Sequence, residues 1–210
     1  MLSKEELRAV RVARHGEEVQ QKLESAHVAI CGLGGLGSNV AFFLTRIGVG
    51  HLHLIDFDRV DPSNLNRQQY AVRHLGMYKT QALAEQLLEI DPYIDLRCDC
   101  LKITEENAGT LFDEETIICE AFDVPEAKAM LVNYCLEHYP EKYIVSASGM
   151  AGFGDSNSIK TQKITSHFIL CGDQVSEIRE NYGLMAPRVA IAAAHEANAI
   201  TSIILEKPVC

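Results

Sequence analysis

The chain has 210 residues, 47% of them hydrophobic and 23% charged, enough for one substantial core and too few for a second full domain. Its 29 acidic and 19 basic side chains give a net charge of −10, so the surface should repel nucleic acid and anionic membrane, and a phosphate site has to be built locally from a few cations and backbone amides. No apolar run approaches the roughly 20 residues of a membrane helix, the N-terminus shows no basic-then-apolar leader, and the seven cysteines include no C-x-x-C pair, so the expectation is a cytoplasmic protein with free, buried thiols.

Ser3 and Glu6 have the spacing of a capping box, which predicts a polar helical arm running to about Leu23, with a break near Gly16, outside the main core. Apolar and helical stretches then alternate. Strand His27 to Cys31, helix Leu36 to Ile47 and strand His51 to Ile55 are followed by a long polar loop, a helix from Tyr78 to Ile90 that Asp91-Pro92 stops, and a strand from Ile94 to Cys98. Thr104 to Phe112 predicts a short helix, Thr116 to Glu120 a strand, Pro125 to Tyr139 a helix with proline in its first turn, and Tyr143 to Ala147 a strand. After a Gly/Ser/Asn/Asp loop at 149–158, Ile159 to Ile164 and His167 to Cys171 predict two short strands, and a small-residue-rich helix runs from near Pro187 to about Leu205.

Crossovers between parallel strands are right-handed, so this alternation predicts an α/β, Rossmann-like, doubly wound and mostly parallel sheet with helices on both faces and an antiparallel C-terminal extension. The expected organisation is one domain over 1–210: an arm at 1–25, a nucleotide-binding core at 26–150, and C-terminal strands and helix at 151–210.

In such sheets ligands gather at the carboxyl ends of strands. The Gly-rich turn at 32–37 follows the first strand, and at Gly34 and Gly35 backbone amides can approach phosphate at the positive end of a helix. Asp56, 19 residues beyond Gly37, has the spacing of an acid that holds ribose hydroxyls. Arg67 and Lys79, with Asn64 and Gln68 as amide donors, together suit a triphosphate, whereas each cation alone is more often a solvated surface group. Asp123 either ligates Mg²⁺ or caps the helix that follows it. His51 and His53 share a strand face without a third metal ligand in view, and Cys98 and Cys100 read as a strand end.

Gly-Leu-Gly-Gly-Leu-Gly-Ser at 32–38, Asp-Phe-Asp at 56–58, Ser-Asn-Leu-Asn-Arg-Gln at 63–68, Lys79, Asp123 and Gly-Leu-Met-Ala-Pro at 183–187 together resemble the ThiF/MoeB family of adenylyltransferases, relatives of the ubiquitin-activating enzymes. The short form, with Glu120-Ala121-Phe122-Asp123, resembles most closely the compact ThiF variants of thiamine biosynthesis. The resemblance implies that Gly35 approaches ATP, Asp56 holds its ribose, Asn64, Arg67 and Lys79 hold its phosphates, and Asp123 binds Mg²⁺; Gly34 and Gln68 join the nucleotide-binding set on the residue reading above. The implied reaction is adenylation of the C-terminal glycine carboxylate of a small ubiquitin-fold sulfur carrier (ThiS-like), with release of pyrophosphate. It also implies a homodimer in which an N-terminal arginine, Arg11 or else Arg14, reaches the partner's ATP.

Longer members carry two C-x-x-C pairs for a structural zinc; this chain has neither, so no zinc is expected. Arg179 stands where those members carry a reactive cysteine. The nearest thiol, Cys171, reads as packing, so a separate sulfur donor is expected. Other readings are the family branch that activates a modified tRNA base, a non-catalytic nucleotide-binding scaffold for a ubiquitin-fold partner, and, last, a nicotinamide-dependent dehydrogenase, in which the polar loop after Asp58 has no job.

Overall fold

In the computed structural model, which describes residues 2–210, the capping box forms: the Ser3 hydroxyl accepts the Glu6 N–H and the Glu6 carboxylate accepts the Ser3 N–H at 2.8 Å. It opens α1 (Lys4–His15), which buries no residue, and Gly16, at φ +91°, turns the chain into α2 (Glu17–Glu24). There follow β1 (His27–Cys31), α3 (Gly35–Ile47), β2 (His51–Ile55), α4 (Lys79–Ile90), β3 (Asp95–Asp99), α5 (Glu105–Ala108), β4 (Ile117–Glu120), α6 (Pro125–His138), β5 (Tyr143–Ala147), β6 (Lys160–Lys163), β7 (Phe168–Gly172) and α7 (Ala186–Ile204).

The strands form one sheet in the order β3-β2-β1-β4-β5-β7-β6, parallel throughout except for the β6–β7 pair. This is the Rossmann-like arrangement that the alternation predicts. Central β1 is covered on both faces, which is why it reads as a continuous apolar run, whereas the outermost strand β3 carries Arg and Asp among exposed positions. On one face Ile30, Leu44, Ala192 and Ala193 join α3 and α7 to the sheet; on the other, Cys31, Phe112, Ile118 and Leu131 pack beneath α6. The small side chains of α7 let it lie close against α3.

The structure departs from the sequence reading in four places. The arm is not wholly outside the core, because Leu23, on the inner side of α2, is buried in it. Helix α5 is a single turn, because the chain leaves the helix at Gly109, and Leu111 and Phe112 enter the core from turns. The polar loop after β2 contains two 3-10 turns, Pro62–Asn64 and Val72–His74. Of the cysteines, Cys31, Cys119, Cys135 and Cys171 are buried, whereas Cys98, Cys100 and Cys210 are exposed rather than buried as expected. Among the described residues no helix is long and apolar enough to cross a membrane.

Candidate nucleotide site

The carboxyl ends of the central strands are joined to one another. Gly32 N–H donates to the Ile55 carbonyl at 2.8 Å, Ala121 N–H to the Cys31 carbonyl at 2.8 Å, and Asp56 N–H to the Asp99 carbonyl at 3.3 Å. Over this junction opens a cavity of about 600 Å³ whose wall includes Gly34, Gly35, Asp56, Arg67, Gln68, Lys79 and Asp123. Residues from distant stretches of chain thus meet at the place where a parallel sheet binds its ligand.

Close approach explains two of the glycines. At Gly32, φ is +92° and a Cβ would stand 2.9 Å from the Ala121 carbonyl oxygen, so the missing side chain lets the end of β4 lie against the turn. At Gly37 a Cβ would stand 1.9 Å from the Gly32 oxygen, so α3 can start this near β1 only at a glycine. Gly34 caps α3 without a side chain of its own, leaving the first-turn amides at Gly35 and beyond available to an anion.

Asp56 is 8% exposed and braces that turn: one carboxylate oxygen accepts the Leu33 N–H at 2.7 Å, the other the Asp58 N–H at 2.7 Å. Lys79, 6% exposed, donates to Asp58 Oδ2 at 2.9 Å. Arg67 Nη1 donates to the Ser63 carbonyl and to Asn66 Oδ1, while Arg67 Nε and Gln68 Oε1 are buried with no protein partner. An orphaned buried donor or acceptor costs about 1–3 kcal/mol, and both of these belong to residues of the cavity wall. Asp123 is exposed on the cavity wall with no hydrogen-bond partner among the described residues, and it does not cap α6, whose N-cap is Val124.

Two expected site residues lie elsewhere. Asn64 is outside the cavity wall, where its Oδ1 accepts the Asp61 N–H at 3.0 Å and closes a 3-10 turn, so it shapes the loop that carries Arg67. Arg11 is tied within its own chain: Nη1 meets Asp91 Oδ2 at 2.7 Å and Nη2 donates to the Thr45 carbonyl, with both side chains of the ion pair largely buried. Withdrawing it would strand a buried carboxylate. Arg14, in contrast, is exposed and pairs with no carboxylate among the described residues.

The sequence reading passed over Lys102 and Lys128, which also reach the cavity, and over the loops that close its far side. Those loops, through Gly149, Met150, Ser176 and Ile178, are held by a buried pair, Arg188 Nη2 to Asp173 Oδ2 at 2.5 Å. Burial works against the Asp173 charge, but N–H donors of Ser176 and Val175, together with Arg188, outweigh it and hold its pKa at about 2.

Cys171 is fully buried, and burial, reinforced by nearby Glu196, pushes its thiol up to about 12. A nucleophilic cysteine needs the opposite environment. His53 is held between two carboxylates inside the protein, Nε2 hydrogen-bonded to Asp99 at 2.8 Å and Nδ1 at 2.6 Å from Glu115.

The ThiF family model matches residues 7–209. The chain belongs to the ThiF family. MoeZ from Mycobacterium tuberculosis is 36% identical over 129 residues, 58% of this ThiF-family chain and 32% of MoeZ. The tRNA threonylcarbamoyladenosine dehydratase of Escherichia coli is 31% identical over 148 residues, 70% of this chain and 54% of the dehydratase. The chain thus spans about a third of the length of MoeZ and about half that of the dehydratase. In three dimensions, the same E. coli dehydratase solved in complex with AMP superposes with a TM-score of 0.86 at 21% identity, covering 98% of this chain and 97% of that one, a likeness of fold. E. coli MccB solved with ATP gives a TM-score of 0.68 at 25% identity, covering 90% of this chain and 59% of MccB.

Proposed function

We propose that this chain adenylates a carboxylate with ATP. A carboxylate oxygen attacks the α-phosphorus, the bond from that phosphorus to the pyrophosphate oxygen breaks, and an acyl-adenylate and pyrophosphate result. The observation that carries this reading is the convergence of the Gly34–Gly35 turn, Asp56, Arg67 and Lys79 on one cavity. In this reading Asp56 offers its remaining lone pairs to the ribose hydroxyls, and Arg67 and Lys79 hold the phosphoryl oxygens on which charge accumulates. The protein needs no covalent step of its own, only in-line placement of carboxylate and α-phosphate.

Asp123 supplies one carboxylate without a partner at the cavity wall, a donor set that with phosphate oxygens suits Mg²⁺. When bound, Mg²⁺ would neutralise phosphate charge. With Cys171 buried, sulfur for an activated carrier would come from a separate donor.

Two observations divide the carboxylate substrates. The match to the tRNA threonylcarbamoyladenosine dehydratase over 70% of this chain favours a nucleoside carboxylate, since a threonylcarbamoyl group carries one. The net charge of −10 opposes a polyanion and favours the C-terminal glycine of a ThiS-like sulfur carrier. Thiamine synthesis is part of the second reading only.

Incubation with ATP, Mg²⁺ and radiolabelled pyrophosphate, with either a ThiS-like carrier or threonylcarbamoyl-modified tRNA, should return label to ATP with one of the two. Arg67→Ala and Asp123→Ala should each slow that exchange by about 10²–10³-fold in folded protein. Exchange with neither substrate would remove the adenylation reading, and variants that bind partner normally without any wild-type turnover would favour a scaffold.

A further inference from the structure

Glu120, the last residue of β4, is a carboxylate with 0% exposure, and such a group persists only with its lone pairs satisfied. Its Oε1 accepts the Phe122 N–H at 2.8 Å. Its Oε2 accepts the Ser146 hydroxyl of β5 at 2.5 Å and the Lys128 ammonium of α6 at 2.5 Å. One carboxylate therefore fastens the start of the turn at 121–124 to the helix that ends it and to the neighbouring strand. On its other side the turn rests on the Gly-rich loop, where Ala121 and Phe122 come within about 3.0 Å of the space that a Gly32 side chain would fill. Asp123, at the tip, has no partner of its own among the described residues, so its place over the cavity is set by the backbone that Glu120 holds.

We propose that Glu120 and Lys128 form a buried strut that positions Asp123, and through it the divalent-cation end of the nucleotide site. The inference rests on the reading of Asp123 as the Mg²⁺ carboxylate. Lys128 belongs to the cavity wall, with a side chain 24% exposed, yet its ammonium is directed at Glu120 and Ser146. It acts through the turn, as a positioning residue, and does not hold phosphate.

The test is calorimetric binding of ATP to the full chain across a Mg²⁺ titration, with no carboxylate substrate present. Lys128→Met should raise the half-saturating Mg²⁺ concentration about tenfold, the usual consequence of removing a group that orients a metal ligand. ATP affinity in EDTA should stay at the wild-type value. Lys128→Met placed on Asp123→Ala should add nothing to the effect of Asp123→Ala alone, because both act on the same carboxylate. Lys128→Arg should restore the midpoint to within about threefold, since it keeps a cationic donor. Ser146→Ala, which removes a different donor to the same oxygen, should shift the midpoint in the same direction, and it reads the strut should Lys128→Met fail to fold. An unchanged Mg²⁺ midpoint, an additive penalty in the double variant, or an equal loss of ATP affinity in EDTA would each overturn the proposal. Failure of pyrophosphate exchange in the earlier experiment would sink the adenylation reading while leaving this titration decisive.

Discussion

Glu196 sits on α7 with its carboxyl fully buried; its one hydrogen-bond partner among the described residues is the Cys119 thiol, 4.0 Å from Oε1, and Oε2 has none. Burial dominates its titration and raises its pKa well above the usual carboxylate range; Lys128 opposes the shift and Glu120 adds to it. The folded chain holds this proton at pH values where the unfolded chain has released it. Such a group contributes stability that is full below the unfolded pKa, near 4.3, and is lost as pH rises toward the folded value. Glu196→Gln, which imitates the neutral acid, should therefore match wild type near pH 4 and exceed it by a growing margin above, at a slope of up to about 1.4 kcal/mol per pH unit for one proton. Urea melts at pH 4, 6 and 8 read this directly. A constant difference between the two proteins across that range would mean that the carboxyl is ionised in the fold.

The two loops on the far side of the cavity are tied by hydrogen bonds such as Gly152 N–H to the Gly183 carbonyl and Ala151 N–H to Ser176 Oγ, and a buried ion pair fastens both to α7. Arg188 Nη2 meets Asp173, while Nη1 donates to the Asp155 carbonyl at 3.0 Å, so one side chain of α7 joins the loop before β6 to the loop after β7. Arg188→Met leaves Asp173 buried and unpaired, which should cost about 3–5 kcal/mol and admit protease into 173–185. Limited proteolysis with and without ATP checks it, and an unaltered cleavage pattern would show that the loops stand without the latch. None of this was legible in the sequence, because Asp173 and Arg188 become neighbours only when α7 folds back on the sheet. What was legible followed local rules. The runs His27–Cys31, His51–Ile55 and Tyr143–Ala147 are apolar and closed by glycine or polar residues, and they form β1, β2 and β5 at those limits. Local rules failed where burial imitates helical periodicity, as at Leu111 and Phe112, and where a polar side chain serves its own loop, as Asn64 does. Glu120 was missed as a positioning group because it ends an apolar strand, and the pattern carries no sign of Lys128 folding back to it.

At the scale of the whole molecule the open matter is whether a site is complete in one chain. Arg11 is committed to Asp91, whereas Arg14, in the last turn of α1, a helix that buries no residue, is exposed and can reach outward. An exposed arginine at a helix C-terminus already has a local role, complementing the helix dipole, so a role in a second copy's site needs a test that the local role cannot pass. If a homodimer places Arg14 of each protomer at its partner's ATP, then Arg14→Ala and Asp123→Ala are each inactive alone but complement one another when mixed. Random reassortment makes half the dimers mixed, each with one intact site and one carrying both lesions, so exchange should recover to about a quarter of the wild-type value. With Arg14 acting in its own chain, or only as a surface charge, mixing restores nothing beyond the two parent activities. Sedimentation of the wild type at assay concentration accompanies the mixing, and a monomer there would end the trans assignment whatever the activities show.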